Sequence, residues 1–187
     1  MIVIERVTPG GIKTGDREYQ FDIIIYIIYA TGSDAITGSF DRIDFRGVDG
    51  ARLKEKWKSG PQTFLGVMVD GFPNMMMLMG PHTALGNIPR SIEHNVDWVT
   101  GLIRFAWENN LTRLEATVAG VTSWTDHVKA LGVGLLSNEA NSWMTGINSN
   151  VDGKQTRIVA RYSGSAPAYR ARCDELAAKQ YDELVLA

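Results

Sequence analysis

The chain has 187 residues, room for one domain with a full core or little more, and at 44% hydrophobic residues it is not a disordered sequence. Its 19 Lys and Arg balance 21 Asp and Glu with no basic run, which excludes the electrostatic footprint of a nucleic-acid-binding protein. Cys173 is the only cysteine, so an internal disulfide is excluded and a reducing, cytoplasmic compartment fits.

In chain order, residues 2–7 are short and β-branched, Pro9-Gly10-Gly11 makes a turn, and residues 12–21 return, so the spacing predicts a β-hairpin with a solvated face. Residues 22–29 are continuously apolar, the pattern of a strand buried on both faces as in a parallel sheet. The longest apolar run, 23–30, is far below the ~20 residues that span a bilayer, and Met1 to Arg6 carries no signal-peptide pattern, so no membrane association is expected. The strand ends in Ala30-Thr31-Gly32, three small residues that allow close backbone approach. Residues 33–61 read as irregular, with one helical turn around 53–57.

Two further strands are expected over 64–69 and 74–79, followed by a loop from Gly80-Pro81. Ser91 reads as the N-cap of a helix whose apolar face is Ile92, Val96, Val99 and Ile103 and which stops near Asn109-Asn110. A second helix carries Trp124, Val128 and Leu131, and a last one starts near Pro167 with Tyr169, Cys173 and Leu176 on one side. Strands followed by helices predict an α/β fold.

Several segments invite chemistry. Residues 80–87 lie between an expected strand and a helix N-terminus, where open α/β sheets bind ligands, although an ordinary connecting loop looks the same. Met75, Met76, Met77 and Met79 would point to alternate faces of a strand and cannot converge on one ion, so core packing is the expected use. His82, His94 and His127 have no metal-ligand spacing, so no metal site is expected. Cys173 on a helical face reads as a small core residue rather than a nucleophile. Gly132-Val133-Gly134 follows a helix rather than a strand and is discounted as a dinucleotide fingerprint. Trp143 sits in a polar setting, where a large aromatic either plugs a cleft or packs on a planar ligand.

The ordered set Phe21-Asp22-Ile23-Ile24-Ile25, Ala30-Thr31-Gly32, Leu53-Lys54-Glu55-Lys56-Trp57, Gly71-Phe72-Pro73-Asn74, Gly80-Pro81, Ser91-Ile92-Glu93, Asn141-Ser142-Trp143, Tyr169-Arg170 and Cys173-Asp174-Glu175 resembles the C-terminal portion of Baeyer–Villiger monooxygenases, within the flavin-containing monooxygenase group. The resemblance implies a partial Rossmann-like FAD/NAD(P)-binding fold, the C-terminal part of a flavoprotein with two dinucleotide-binding domains. Residues 1–32 would be the end of the NADP-binding domain, and 33–187 the C-terminal part of the FAD-binding domain with a helical substrate-side segment. It also implies the chemistry: NADPH reduces bound FAD, oxygen adds to the reduced flavin, and one oxygen atom is inserted beside a ketone carbonyl to give an ester or lactone. Ala30, Thr31 and Gly32 would form the link between the two domains. Asn87 and Ile88 would approach the flavin, Ala84 and Leu85 would line the substrate pocket, and Trp143 would contact the ribose of the nicotinamide cofactor.

Three departures set this chain apart from the family pattern. Neither glycine fingerprint nor the FxGxxxHxxxWP signature is present, nor the family's flavin-side arginine, so the chain alone is expected to be inactive and to need the N-terminal two thirds of such an enzyme as partner. Ile-Ile-Tyr is repeated within 23–29, and an odd insertion in a strand flips the faces on one side of it. Ser33 follows Ala-Thr-Gly where an aromatic is usual. A non-catalytic truncated remnant and a fragment of an N- or S-oxygenating relative remain as alternatives.

Overall fold

The computed structural model describes residues 4–22, 36–84, 86–148, 152 and 154–187. The chain divides into two compact units, Met1–Gly32 and Ser33–Ala187. In the first, β1 (Ile4–Thr8), β2 (Gly11–Thr14) and β3 (Glu18–Gln20) form an antiparallel sheet in that order. Thr8 pairs with Gly11 across the Pro9-Gly10 turn. A Cβ on Gly11 would stand 1.8 Å from the Tyr19 carbonyl oxygen, so only glycine allows the neighbouring strand this close.

The return strand predicted over 12–21 is in fact two strands. Thr14 N donates to Arg17 O at 2.9 Å and the Thr14 hydroxyl lies 2.6 Å from Asp16 Oδ1, so Thr14 to Arg17 close a turn that folds β3 back onto β2. The apolar stretch at 23–29 and Ala30-Thr31-Gly32 lie outside the described residues.

The second unit mixes helices and strands. Single turns α1 (Gly38–Asp41) and α2 (Leu53–Lys56) precede α3 (Ile88–Glu108), β4 (Leu114–Ala116), α4 (Val118–Leu131), α5 (Leu136–Glu139), α6 (Ala166–Ala178) and β5 (Leu184–Leu186). β5 pairs antiparallel with β4, and the bridge between Ala84 and Tyr162 is parallel. Helices α4 and α6 start as their caps dictate: Thr117 accepts from Gly120 N at 3.0 Å and Ser165 from Ala168 N at 3.2 Å, with Pro167 in the first turn. Of their expected inner residues, Trp124, Val128, Tyr169, Cys173 and Leu176 are in the core and Leu131 packs against it partly buried.

Helix α3 corrects the sequence reading twice. Its N-cap is Asn87, whose side chain accepts from Arg90 N at 3.2 Å, and not Ser91. Its buried face is Ser91, Asn95, Trp98, Leu102 and Ala106, so Leu102 is 0% exposed while Ile103 of the expected stripe is 52% exposed. The reason is polar. Asn95 Oδ1 accepts from Met79 N at 3.3 Å, and its amide donates to the Tyr169 hydroxyl at 3.2 Å. That hydroxyl donates on to Leu65 O at 2.7 Å, and Trp98 Nε1 donates to Cys173 O at 2.9 Å. Buried polar groups need partners, and these partners turn the helix one residue away from the phase its apolar residues suggest.

Neither predicted strand after α2 forms. Phe64 to Val67 is a tight turn: Val67 N donates to Phe64 O at 3.0 Å, with Leu65 (φ 52°) and Gly66 (φ 69°) both left-handed. Residues 74–79 are irregular because Asn74 (φ 60°) works as a substitute strand edge. Its backbone N–H donates to Leu114 O at 2.8 Å, and its side-chain oxygen accepts from Leu114 N at 2.9 Å.

Two apolar clusters result. The larger joins Phe64, Leu65 and Met68 to α3, α4, α6 and the β4–β5 pair; the smaller holds Leu53, Trp57, Val69, Phe72 and Met77. Met76 packs on the first and Met75 and Met77 on the second, so these three are packing residues, although not on a strand. The register of α3 is directly testable. Leu102→Ala should cost about 2–5 kcal/mol of unfolding free energy, as for a fully buried leucine. In this chain Ile103→Ala should cost less than about 0.5 kcal/mol, the scale of surface changes. Paired urea melts of the two variants check the difference.

Candidate functional site

The loop at 80–88 and the turn at 143–146 carry most of the residues singled out by sequence, and both are fastened to one segment, 158–162. In the loop, His82 is 1% exposed at φ 71°. Its backbone N–H donates to Ala160 O at 3.0 Å, and its ring Nε2 lies 2.9 Å from Val159 O. A carbonyl oxygen only accepts, so Nε2 carries the proton and Nδ1 is an acceptor. The Thr63 hydroxyl stands 3.1 Å from Nδ1 and 3.2 Å from Pro81 O, one hydrogen between two acceptors. Thr83 closes the turn by donating to Gly80 O at 2.7 Å, and Ala84 then bridges to Tyr162.

Burial pushes the His82 pKa down to about 4, and the hydrogen bond to Val159 offsets only part of that. The ring is therefore a neutral structural clamp at physiological pH. Cys173 is likewise no nucleophile, since burial pushes its thiol up to about 12.

Past Ala84 the chain comes to the surface. Gly86, Asn87, Ile88, Pro89 and Arg90 are exposed, so the first turn of α3 faces outward with the partial positive charge of a helix N-terminus. The turn at Trp143–Thr145 is fixed from behind. Buried Thr145 Oγ1 accepts from Ser142 N at 3.2 Å and lies 2.8 Å from Ala140 O. Ile158 N donates to Thr145 O at 2.9 Å. Arg157 gathers the approach to the turn through the Asn138 and Ala140 carbonyls and through Asn141 Oδ1, the last at 2.7 Å. At Gly146 (φ 76°) a Cβ would stand 2.3 Å from Ile158 Cγ1, so the turn sits directly on the shared segment.

Of the residues singled out by sequence, Ala84 is buried at its bridge, Asn87 caps α3, Ile88 opens α3 on the surface and Trp143 begins the turn. Ala30, Thr31, Gly32 and Leu85 lie outside the described residues. The open clefts of the second unit include two of similar size. One of about 460 Å³ is bordered by Asp41, Lys54, Trp57 and Gly146, and one of about 470 Å³ by Trp124, His127, Tyr162 and Arg172. Neither contains Ala84, Asn87 or Ile88; Ala84 instead lines a small crevice with Ser91, His94, Asn95 and Tyr169. Sequence reading missed Thr63, Thr145 and Arg157 and weighed His82 only as part of the 80–87 loop and as a metal ligand; the clamp partners lie up to 77 residues apart.

No family model matches the chain. Individual relatives do. A 2-oxo-Δ3-4,5,5-trimethylcyclopentenylacetyl-CoA monooxygenase of Pseudomonas putida is 40% identical over 186 residues, 98% of this chain and 34% of that protein. A Baeyer–Villiger monooxygenase of Pseudooceanicola batsensis is 32% identical over 97% of this chain and 32% of its own length. A phenazine N-monooxygenase of Lysobacter antibioticus is 34% identical over 98% of this chain and 33% of its own length. The crystal structure of OTEMO with FAD and NADP superposes on all of this chain and 33% of its own, with a TM-score of 0.77 and 39% identity.

By sequence and fold, the chain matches the C-terminal third of a Baeyer–Villiger monooxygenase. It spans about a third of the length of the relatives it matches. The α/β fold expected from the sequence is thus that of the C-terminal part of such a flavoprotein, in which the 80–88 loop and the 143–146 turn share one support.

The clamp predicts a pH response. From about pH 6.5 downward the unfolded chain protonates His82, whereas the folded chain resists until about pH 4, so the folded state loses stability as pH falls through that window. The loss should be on the order of 3 kcal/mol by pH 4. His82→Asn, which tolerates the left-handed backbone, should start lower and show a flatter profile. Urea melts of both proteins from pH 7.5 to 4 give the comparison.

Proposed function

We infer that this chain is the C-terminal part of an FAD- and NADPH-dependent monooxygenase that inserts an oxygen atom beside a ketone carbonyl, giving an ester or lactone. The observation carrying this reading is the 40% identity to the Pseudomonas putida monooxygenase across 98% of the chain. In this reading residues 1–32 end the NADP-binding domain and 33–187 complete the FAD-binding domain, with Ala30, Thr31 and Gly32 as the link.

The bound flavin would supply oxygen activation, and the residues of this chain would supply position. Asn87 sets the start of α3, so that the outward first turn and Ile88 present an apolar wall and a positive helix end to an electron-rich ring. Ala84 and Leu85 belong to the substrate side of the same loop, whose path His82 fixes. Trp143 contacts the ribose of NADPH, on a turn whose backbone Thr145 and Arg157 hold. A pyrophosphate needs a glycine-rich turn before a helix, and the sequence has no such fingerprint, so these residues form one wall of a site. The catalytic unit therefore includes a partner, the remaining two thirds of such an enzyme, and its substrates are a ketone and oxygen. A single, buried cysteine fits a cytoplasmic setting. No helix among the described residues is long and apolar enough to cross a membrane.

The similarity to the phenazine N-monooxygenase favours a second reading, oxygen transfer to a ring nitrogen. One protein decides between them: this chain fused behind the N-terminal two thirds of the Pseudomonas putida relative. Ester or lactone from cyclic ketones supports the first reading, and N-oxide from phenazine without ester supports the second. Neither product, from a fusion that is yellow and oxidises NADPH, would sink both.

In the same fusion Trp143→Ala tests the cofactor contact. Losing a donor and its packing is worth about 1–3 kcal/mol, a roughly tenfold to hundredfold rise in the KM for NADPH. A lowered melting temperature with unchanged NADPH dependence would make Trp143 a packing residue instead.

A further inference from the structure

The core-facing arc of α3 accounts for only part of its apolar surface. Beside it runs a second stripe, Ile88, Ile92, Val96, Val99, Ile103 and Trp107, spaced i, i+4, i+8, i+11, i+15 and i+19 over the whole helix. At 3.6 residues per turn these positions fill an arc of about 100° adjoining the buried one. Glu93, Asp97, Arg104 and Glu108 gather on the opposite side, so the stripe contains no charge. Val99 alone is partly packed on the core; Ile88 and Ile103 are about half exposed and Trp107 is 82% exposed. A helix with a solvated back and one core face needs a single apolar arc, and one with two adjoining arcs is built to lie between two layers.

We propose that this stripe is the surface on which the N-terminal, dinucleotide-binding two thirds of a flavin monooxygenase docks. Two observations name that occupant. The solved relative matches this chain along its entire length but has two thirds of its own chain left over, so an extensive layer has no counterpart in these 187 residues. The stripe also begins at Ile88, the residue assigned to the flavin side, so a docked layer would run from that site down the length of α3. The inference rests on the functional reading above for the identity of the layer, and on the exposed stripe for its place.

The test uses the fusion with the Pseudomonas putida N-terminal part, alongside the 187-residue chain itself. Each is made with the stripe variant Ile92→Glu/Val96→Glu/Ile103→Glu and with a control on the charged side, Glu93→Ala/Asp97→Ala/Arg104→Ala. Glutamate is a good helix former, so the stripe variant does not break α3 by propensity. The expected result is a fall in Tm of about 5 °C or more, or loss of soluble protein, for the stripe variant of the fusion only. The same substitutions should leave the Tm of the 187-residue chain within about 2 °C, and the control should leave both proteins unchanged.

A fusion indifferent to the stripe variant overturns the proposal, as does an unsubstituted fusion that forms no soluble protein. So does a defined dimer of the 187-residue chain that the stripe variant dissociates while the fusion is unaffected, which would assign the stripe to a second copy. Flavin content separates the two levels. A colourless fusion that still loses Tm with the stripe variant supports the docking surface and counts against the flavin reading; a yellow, indifferent fusion does the reverse.

Discussion

A buried imidazole has two ring nitrogens to satisfy, and His82 satisfies them from opposite sides: Val159 O on one and the Thr63 hydroxyl on the other. This arrangement requires one tautomer and no charge. Through it the loop leading to Asn87, the turn behind Trp143 and the segment 158–162 become a single rigid object. Residues 63, 82, 145 and 159 are distant in sequence, so their alignment depends on the whole second unit being folded. A site assembled this way gains geometric precision from its support rather than from its own length.

Local signals served well where they were strong. Pro167 in a first turn and the spacing of Trp124 and Val128 located α6 and α4 with those inner residues correct, while Leu131 is only partly buried and the caps Thr117 and Ser165 went unread. They failed where polar groups decided. Leu65 in a left-handed conformation is no standard turn signal; its carbonyl is held by Tyr169, over a hundred residues away. Asn74 imitates a strand edge with its side chain, and nothing in 74–79 announces this. On α3 the periodicity was real but belonged to the outer stripe, because Ser91 and Asn95 occupy the inner one. The clamp that joins the 80–88 loop to segment 158–162 is visible only in three dimensions.

The two units differ in how their stability is built. The first is a small sheet whose β1 is mostly exposed and whose order comes from tight turns and cross-strand pairs. The second has a continuous apolar cluster threaded by hydrogen bonds between Asn95, Tyr169 and Leu65. Such a network raises the penalty for any partial loosening, because buried polar groups would lose partners that water cannot replace there.

The neighbouring methionines at 76 and 77 have a further consequence. One thioether packs on each apolar cluster, so three consecutive backbone bonds stitch the two clusters together. Oxidation of a thioether to its sulfoxide turns an apolar, pliable group into a polar one. Damage confined to this dipeptide would reach both cores at once, through a stretch with no regular secondary structure to contain it. The two clusters therefore share one point of chemical weakness, and the burial of Met77 shields its half of it.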